Sequence, residues 1–271
     1  MPWSLPAALR GRFDVVRVPG TVAVVRSDFR PAFDALGLLA AAREAGDDGG
    51  EGPGPGCEVE AVRAAGPPGG RGAAFLLPAG ALGEVVVRPF RRGGWLRRVN
   101  RRRYLRGDRA LDELALTERL RLAGAPVPEV LAAVQTRIGP GPAYAAALVS
   151  RRAAGFSPAA LVLRGARPGR AAARLEQIGR AVRRVHEAGG RHADLNAWNV
   201  LVPTGRAGLG PLVIDWDRGR FVAGGVRGAA AEANLARLER SLRRLGLAAA
   251  VSSLPALRAG YEAAPGPVPA A

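Results

Sequence analysis

Apolar positions recur with two different periods in this chain, and the period changes near its middle. Residues 13–26, FDVVRVPGTVAVVR, hold two β-branched runs around Pro19-Gly20, which predicts a hairpin. Further strands are expected in 66–77, GPPGGRGAAFLL, behind a glycine-rich turn, in 83–90, GEVVVRPF, and in 143–149. Between them Leu111, Leu114 and Leu120 share one face of a helix over 109–123, stopped by Gly124 with Pro126 beyond. The first half therefore reads as an antiparallel sheet with one helix. In the second half Leu175, Ile178, Val182 and Val185 recur at three- and four-residue steps, a helix over 171–188 that ends at Gly189. Short apolar runs at 200–202 and 211–215 read as strands, and Leu235, Leu238, Leu242 and Leu245 mark a helix stopped by Gly246. The expected architecture is α+β: a β-rich first lobe (1–148), a hinge (149–156) and a mainly helical second lobe (157–271). No internal repeat is visible.

Composition changes this picture in three ways. The 271-residue chain carries a formal charge of +17, which first suggests a polyanionic partner. Yet all 40 basic residues are Arg and none is Lys, in a chain dominated by Ala, Gly, Pro and Arg, so part of that charge is a compositional bias. Aromatic residues make up only 5%, too few for the stacking platforms of single-strand binders, and no nucleic acid is expected as partner. One cysteine, Cys57, excludes an internal disulfide and fits a reducing compartment. The start, MPWSLPAALRGR, has no apolar core of a signal peptide, and no apolar run reaches the roughly 18 residues of a membrane span. A cytoplasmic protein, free or resting on a membrane surface, is expected. Residues 45–56, AGDDGGEGPGPG, read as a low-complexity surface insert.

Candidate chemistry is concentrated in two segments, HADLNAWNVLV (192–202) and VIDWDRG (213–219). A hairpin over 200–214 sets Asn199 and Asp215 side by side at its open end. Their hard oxygens suit Mg²⁺, which keeps waters and phosphate oxygens in its other positions. Asp194 is placed to accept a proton from a hydroxyl. A base, an amide ligand and a carboxylate ligand in this order are the layout of kinase-type phosphoryl transfer, and His192, Asp194, Leu195 and Asn199 fit H-x-D-L-x-x-x-N. His192 is expected to be a structural hydrogen-bonding residue and His186 to pack or cap a helix end. Asn196 either orients substrate or closes the loop. Asp217 either ligates a second ion or bonds the loop.

These segments resemble the Kdo kinase branch of the lipopolysaccharide kinases. So do VVVRPFRRGGWLRRVNRRRYL, RALDEL, GAPVPEVLAA and, in the place of the nucleotide-covering loop, GRGAAF (70–75). The resemblance runs from about Pro67 to Gly246. It implies a bilobal protein-kinase-like fold, ATP with Mg²⁺, and phosphorylation of a 3-deoxy-D-manno-octulosonic acid (Kdo) hydroxyl on a lipid A precursor at the cytoplasmic face of the inner membrane. It places Gly70, Arg71 and Gly72 over the nucleotide and gives the basic stretch 88–106 peripheral contact with anionic lipid, with Trp95, Leu96 and Tyr104 dipping into the interface. Kinases normally set a strand lysine on the ATP phosphates. Here Arg88 holds that position, with Glu113 as its expected helix partner and Glu118 as the alternative. Aminoglycoside-type and protein kinases share parts of the same motif, and a degenerate kinase fold that only binds is the reading from another class.

Overall fold

The computed structural model describes residues 3–47, 74–90, 108–139, 143–205 and 209–263. Gly70, Arg71, Gly72 and Cys57, most of the 45–56 insert and residues 91–106 of the basic stretch lie outside them. The described residues form two compact units, one of Met1–Glu118 with Glu129–Arg152, the other of Arg119–Pro128 with Ala153–Ala271.

The first unit is built on strands β1 (Phe13–Val18), β2 (Thr21–Arg26), β3 (Phe75–Pro78), β4 (Glu84–Pro89), β5 (Val130–Arg137) and β6 (Tyr144–Arg151). They pair antiparallel throughout in the order β1-β2-β5-β6-β4-β3. The described residues of this unit also form helices α1 (Arg30–Ala35), α2 (Leu38–Asp47) and α3 (Arg109–Leu122). The period-2 alternation of β2 sorts its side chains to the two faces of the sheet. Val24 joins a core with Leu111 and Leu114 of α3, whereas Ala23 and Val25 join one with Phe29, Phe33 and Leu38.

One helix in this half was too few. Among the described residues there are three α-helices, because α1 and α2 cover the sheet face opposite α3. Both are short and separated by Gly37 at φ +60°, so no periodic stretch survives long enough to be read. Strand β5 was also missed. It is buried on both faces, and an Ala-rich run without alternation carries no period-2 signal. The expected stop of α3 is seen: Gly124 takes φ +79° and the Ala125 N–H returns to the Leu120 carbonyl at 3.0 Å.

The second unit contains β7 (Phe156–Pro158), α4 (Ala159–Val162), α5 (Pro168–Glu187), β8 (Gly190–Arg191), β9 (Val200–Pro203), β10 (Leu212–Val213), β11 (Arg220–Phe221), α6 (Gly228–Arg244), α7 (Ala248–Ser252) and α8 (Leu254–Glu262). Its small sheets run β10-β9-β7 and β11-β8. Helix α5 buries Leu175, Ile178, Val182 and Val185, the residues whose spacing predicted it. Helices α5 and α8 approach until their backbones touch. A Cβ on Gly179 would stand 2.2 Å from the Leu257 carbonyl oxygen, and one on Gly260 would stand 2.1 Å from that of Glu176. Alanine in a helix ordinarily gains about 0.8–1.0 kcal/mol over glycine. Forcing two backbones apart costs roughly 1–3 kcal/mol, so the clash wins. Gly179→Ala is expected to lower the denaturant midpoint, and an unchanged or raised midpoint would show that the helices can separate freely.

Candidate active site

The loop from β8 to β9 and the turn after β10 meet at His192, which is buried. Its Nε2 lies 3.0 Å from the Ile214 carbonyl oxygen, so Nε2 carries the proton; Nδ1 then accepts the Asp194 N–H at 3.0 Å. One neutral imidazole thus holds the backbone of both candidate aspartate segments. Burial pushes the His192 pKa down, while the Ile214 carbonyl and the charges of Asp215 and Asp194 pull it up. The ring also lies edge-on to buried Trp216, with centroids 4.8 Å apart. Gly190, two residues earlier, is tightly packed: a Cβ there would come 2.9 Å from the Trp216 ring.

A second clamp holds His192 from the other side. Asn234 of α6 accepts the His192 N–H at 3.1 Å and donates to its carbonyl at 2.9 Å. Those two bonds fix the amide's orientation, so the contact of its oxygen with His186 Nε2 at 3.2 Å is donated by the histidine. His186 Nδ1 is in turn 2.8 Å from the Tyr261 hydroxyl. His186 therefore does more than pack at a helix end; it joins α5, α6 and α8 in one buried network. Burial lowers its pKa, against the raising effect of the Asn234 bond.

Asn196 closes the loop. Its oxygen accepts the Trp198 and Asn199 N–H groups at 2.9 and 3.2 Å, and its Nδ2 donates to the Asp194 carbonyl and to Asp194 Oδ2. Asn199 Nδ2 donates to the same Asp194 carbonyl at 2.9 Å, which leaves Oδ1 as the atom available to a ligand. Strands β9 and β10 pair Val200 with Val213, and the Ile214 N–H bonds the Asn199 carbonyl at 2.9 Å. Asn199 and Asp215 accordingly emerge at the same end of the ladder. Asp215 holds φ +64°, a left-handed conformation that costs an L-residue roughly 1–2 kcal/mol, and such residues cluster at functional sites. Asp194 is about half exposed, and Arg237 of α6 reaches its Oδ1 at 3.0 Å.

In the first unit Arg88 on β4 donates to Glu113 of α3 at 2.6 Å, with the carboxylate nearly fully buried. Glu118, the alternative partner, instead pairs with Arg12 at 3.5 Å. The pair sits beneath Phe90, whose ring faces the Arg88 guanidinium at 4.8 Å.

A strand cation paired with a helix carboxylate, then H-x-D-L-x-x-x-N, then an aspartate after a two-strand hairpin is the chain order of the protein-kinase-like phosphotransferases, and this protein is of that class. More narrowly, it belongs to the Lipopolysaccharide kinase (Kdo/WaaP) family, whose sequence profile matches residues 59–258. A 3-deoxy-D-manno-octulosonic acid kinase of Xylella fastidiosa (strain M12) is 40% identical to it over 182 residues, 65% of this chain and 68% of that one. Its counterpart in Xanthomonas campestris pv. campestris (strain B100) is 41% identical over 181 residues, with the same coverage. A solved structure of WaaP in complex with acyl carrier protein superposes with a TM-score of 0.54 at 17% identity, covering 88% of both chains, which shows a shared fold.

Three residues of the site escaped sequence reading: Asn234, Arg237 and Trp216. Asn234 had left a signal. It lies four residues before Leu238 on the apolar stripe of α6, and a polar residue in a buried stripe needs partners. Arg237 had none, as one of many arginines on a helical surface.

Proposed function

We propose that this protein transfers the γ-phosphoryl group of ATP to a hydroxyl of a Kdo residue on a lipid A precursor, with Mg²⁺ at Asn199 and Asp215. The observation that carries the reading is the neutral His192 bonded to both the Asp194 backbone and the Ile214 carbonyl, since it fixes the candidate base relative to the candidate metal carboxylate. The donor set fits Mg²⁺: one amide oxygen and one carboxylate on adjacent strand ends suit an ion that leaves its other positions to water and phosphate. When bound, the ion neutralises charge on the transferring phosphate.

Asp194 orients the acceptor hydroxyl and takes its proton as the oxygen attacks phosphorus. The bond from phosphorus to the β-phosphate oxygen breaks and ADP leaves. Arg88 contacts the α- and β-phosphates with its fork, held by Glu113 as a lysine is held in other kinases. Gly70, Arg71 and Gly72 cover the nucleotide. The hinge between the two lobes lies within 149–156, past the end of β6 at Arg151. The protein meets its acceptor at the cytoplasmic face of the inner membrane through 88–106, whose Arg and aromatic residues suit an anionic interface. No helix among the described residues is long and apolar enough to cross a membrane.

The purified protein, mixed with ATP, Mg²⁺ and a Kdo-bearing lipid A precursor, is expected to add one phosphate per acceptor, read by mass spectrometry. Phosphate arriving on an aminoglycoside or a protein substrate, and not on this acceptor, would overturn the assignment.

A further inference from the structure

Both carboxylate oxygens of Asp194 are engaged: Oδ1 by Arg237 Nη1 at 3.0 Å, Oδ2 by Asn196 Nδ2 at 3.2 Å. Arg237 spends only that one nitrogen. Its Nε and Nη2 have no protein partner among the described residues, and the side chain is 48% exposed. The open edge of a guanidinium is a planar fork that matches a carboxylate with two parallel hydrogen bonds.

Its place on α6 follows from Asn234. Arg237 lies three residues after Asn234, on the same side of α6, and Asn234 is locked to the His192 backbone by two bonds. The fork is therefore held beside the candidate base. An ion pair half exposed on both sides contributes little to stability, so the fold has little need of it.

We propose that Arg237 is a specificity-determining residue that binds the carboxylate of the acceptor sugar and thereby sets the neighbouring hydroxyl against Asp194. The inference rests on the function proposed above, in which the acceptor is a sugar acid. As the acceptor's carboxylate takes the Nε–Nη2 edge, the guanidinium shares its charge between two anions. Its hold on Oδ1 loosens, and that oxygen becomes the one that receives the hydroxyl proton. A neutral sugar of the same shape leaves the base covered and the fork empty.

The test compares Kdo-bearing lipid A precursor with the same compound carrying its Kdo carboxylate as the methyl ester, for wild type, Arg237→Gln and Arg237→Lys. Wild type is expected to favour the acid over the ester by roughly 10–100-fold in kcat/KM, through a higher KM and a lower kcat on the ester. Arg237→Gln should lose that preference while its KM for ATP and its melting temperature stay as in wild type. Arg237→Lys should recover part of it, since a point charge attracts the carboxylate without the fork. Retention of the full acid preference by Arg237→Gln overturns the assignment. So does a rise in KM for ATP with none for the acceptor, which would make Arg237 a nucleotide-phosphate contact. If wild type phosphorylates neither compound, the proposed function falls and this inference with it; if it phosphorylates both equally, only the inference falls.

Discussion

Asp194→Asn is expected to lower turnover by roughly 10²–10⁴, the usual weight of a positioned general base, with nucleotide affinity unchanged. Asparagine keeps the shape of the side chain and an oxygen that can still accept from Arg237 or Asn196. What it loses is the capacity to take a proton. The loop itself stays in place, because His192, Asn196 and Asn199 all hold it through the Asp194 backbone, and the Asn196 contact with Oδ2 can be kept by the amide oxygen. The ion pair with Arg237 is exposed enough that its removal costs at most about 1 kcal/mol. Steady-state turnover with a melting curve on the same sample separates these effects. Turnover within threefold of wild type would take Asp194 out of the base role.

The residues that make this prediction possible differ in how far the sequence discloses them. Helices α3, α5 and α6 were legible because each buries one stripe over three turns or more, and the β1–β2 hairpin because Pro19-Gly20 interrupts two β-branched runs. Helix α8 was not, although it packs tightly on α5. Its contact is made by backbone at Gly179 and Gly260, and a glycine that permits close approach looks in sequence like any other glycine. The polar loop 192–199 stood out because so many hydrogen-bonding side chains in a row need partners.

The pairing of Arg88 followed a similar logic. By the kinase resemblance Arg88 stands where a strand lysine is usual, with a carboxylate of the next helix as its partner, and Glu113 and Glu118, five residues apart, are both available. In the structure Arg88 takes Glu113, whereas Glu118 is contacted by Arg12. The latter is a contact across more than a hundred residues, and no local pattern encodes it. The same holds for Asn234 and Arg237. Their partners are fixed only once α6 docks against the loop.

Asp215 should separate stability from function more sharply than any other position. Its φ of +64° strains an ordinary side chain, but Asn tolerates that region well and Gly adopts it freely. Asp215→Asn is therefore expected to melt closest to the wild-type temperature, and Asp215→Ala lower than Asp215→Gly. All three should lose turnover, because each removes the carboxylate proposed to hold Mg²⁺, whose charge neutralisation is worth several kcal/mol at the transition state. Nucleotide binding gives a readout independent of catalysis. With free Mg-ATP at 100 times its dissociation constant, wild type gains about 2.7 kcal/mol of stability. A hundredfold loss of affinity in Asp215→Asn would reduce that gain to about 0.4 kcal/mol, and chelating the metal should then change little further. Asn199→Ala should fall between the two, since an amide brings no formal charge to the ion. Equal metal-dependent stabilisation of wild type and Asp215→Asn would mean that the strained aspartate serves the turn and that the metal, if bound, is held elsewhere.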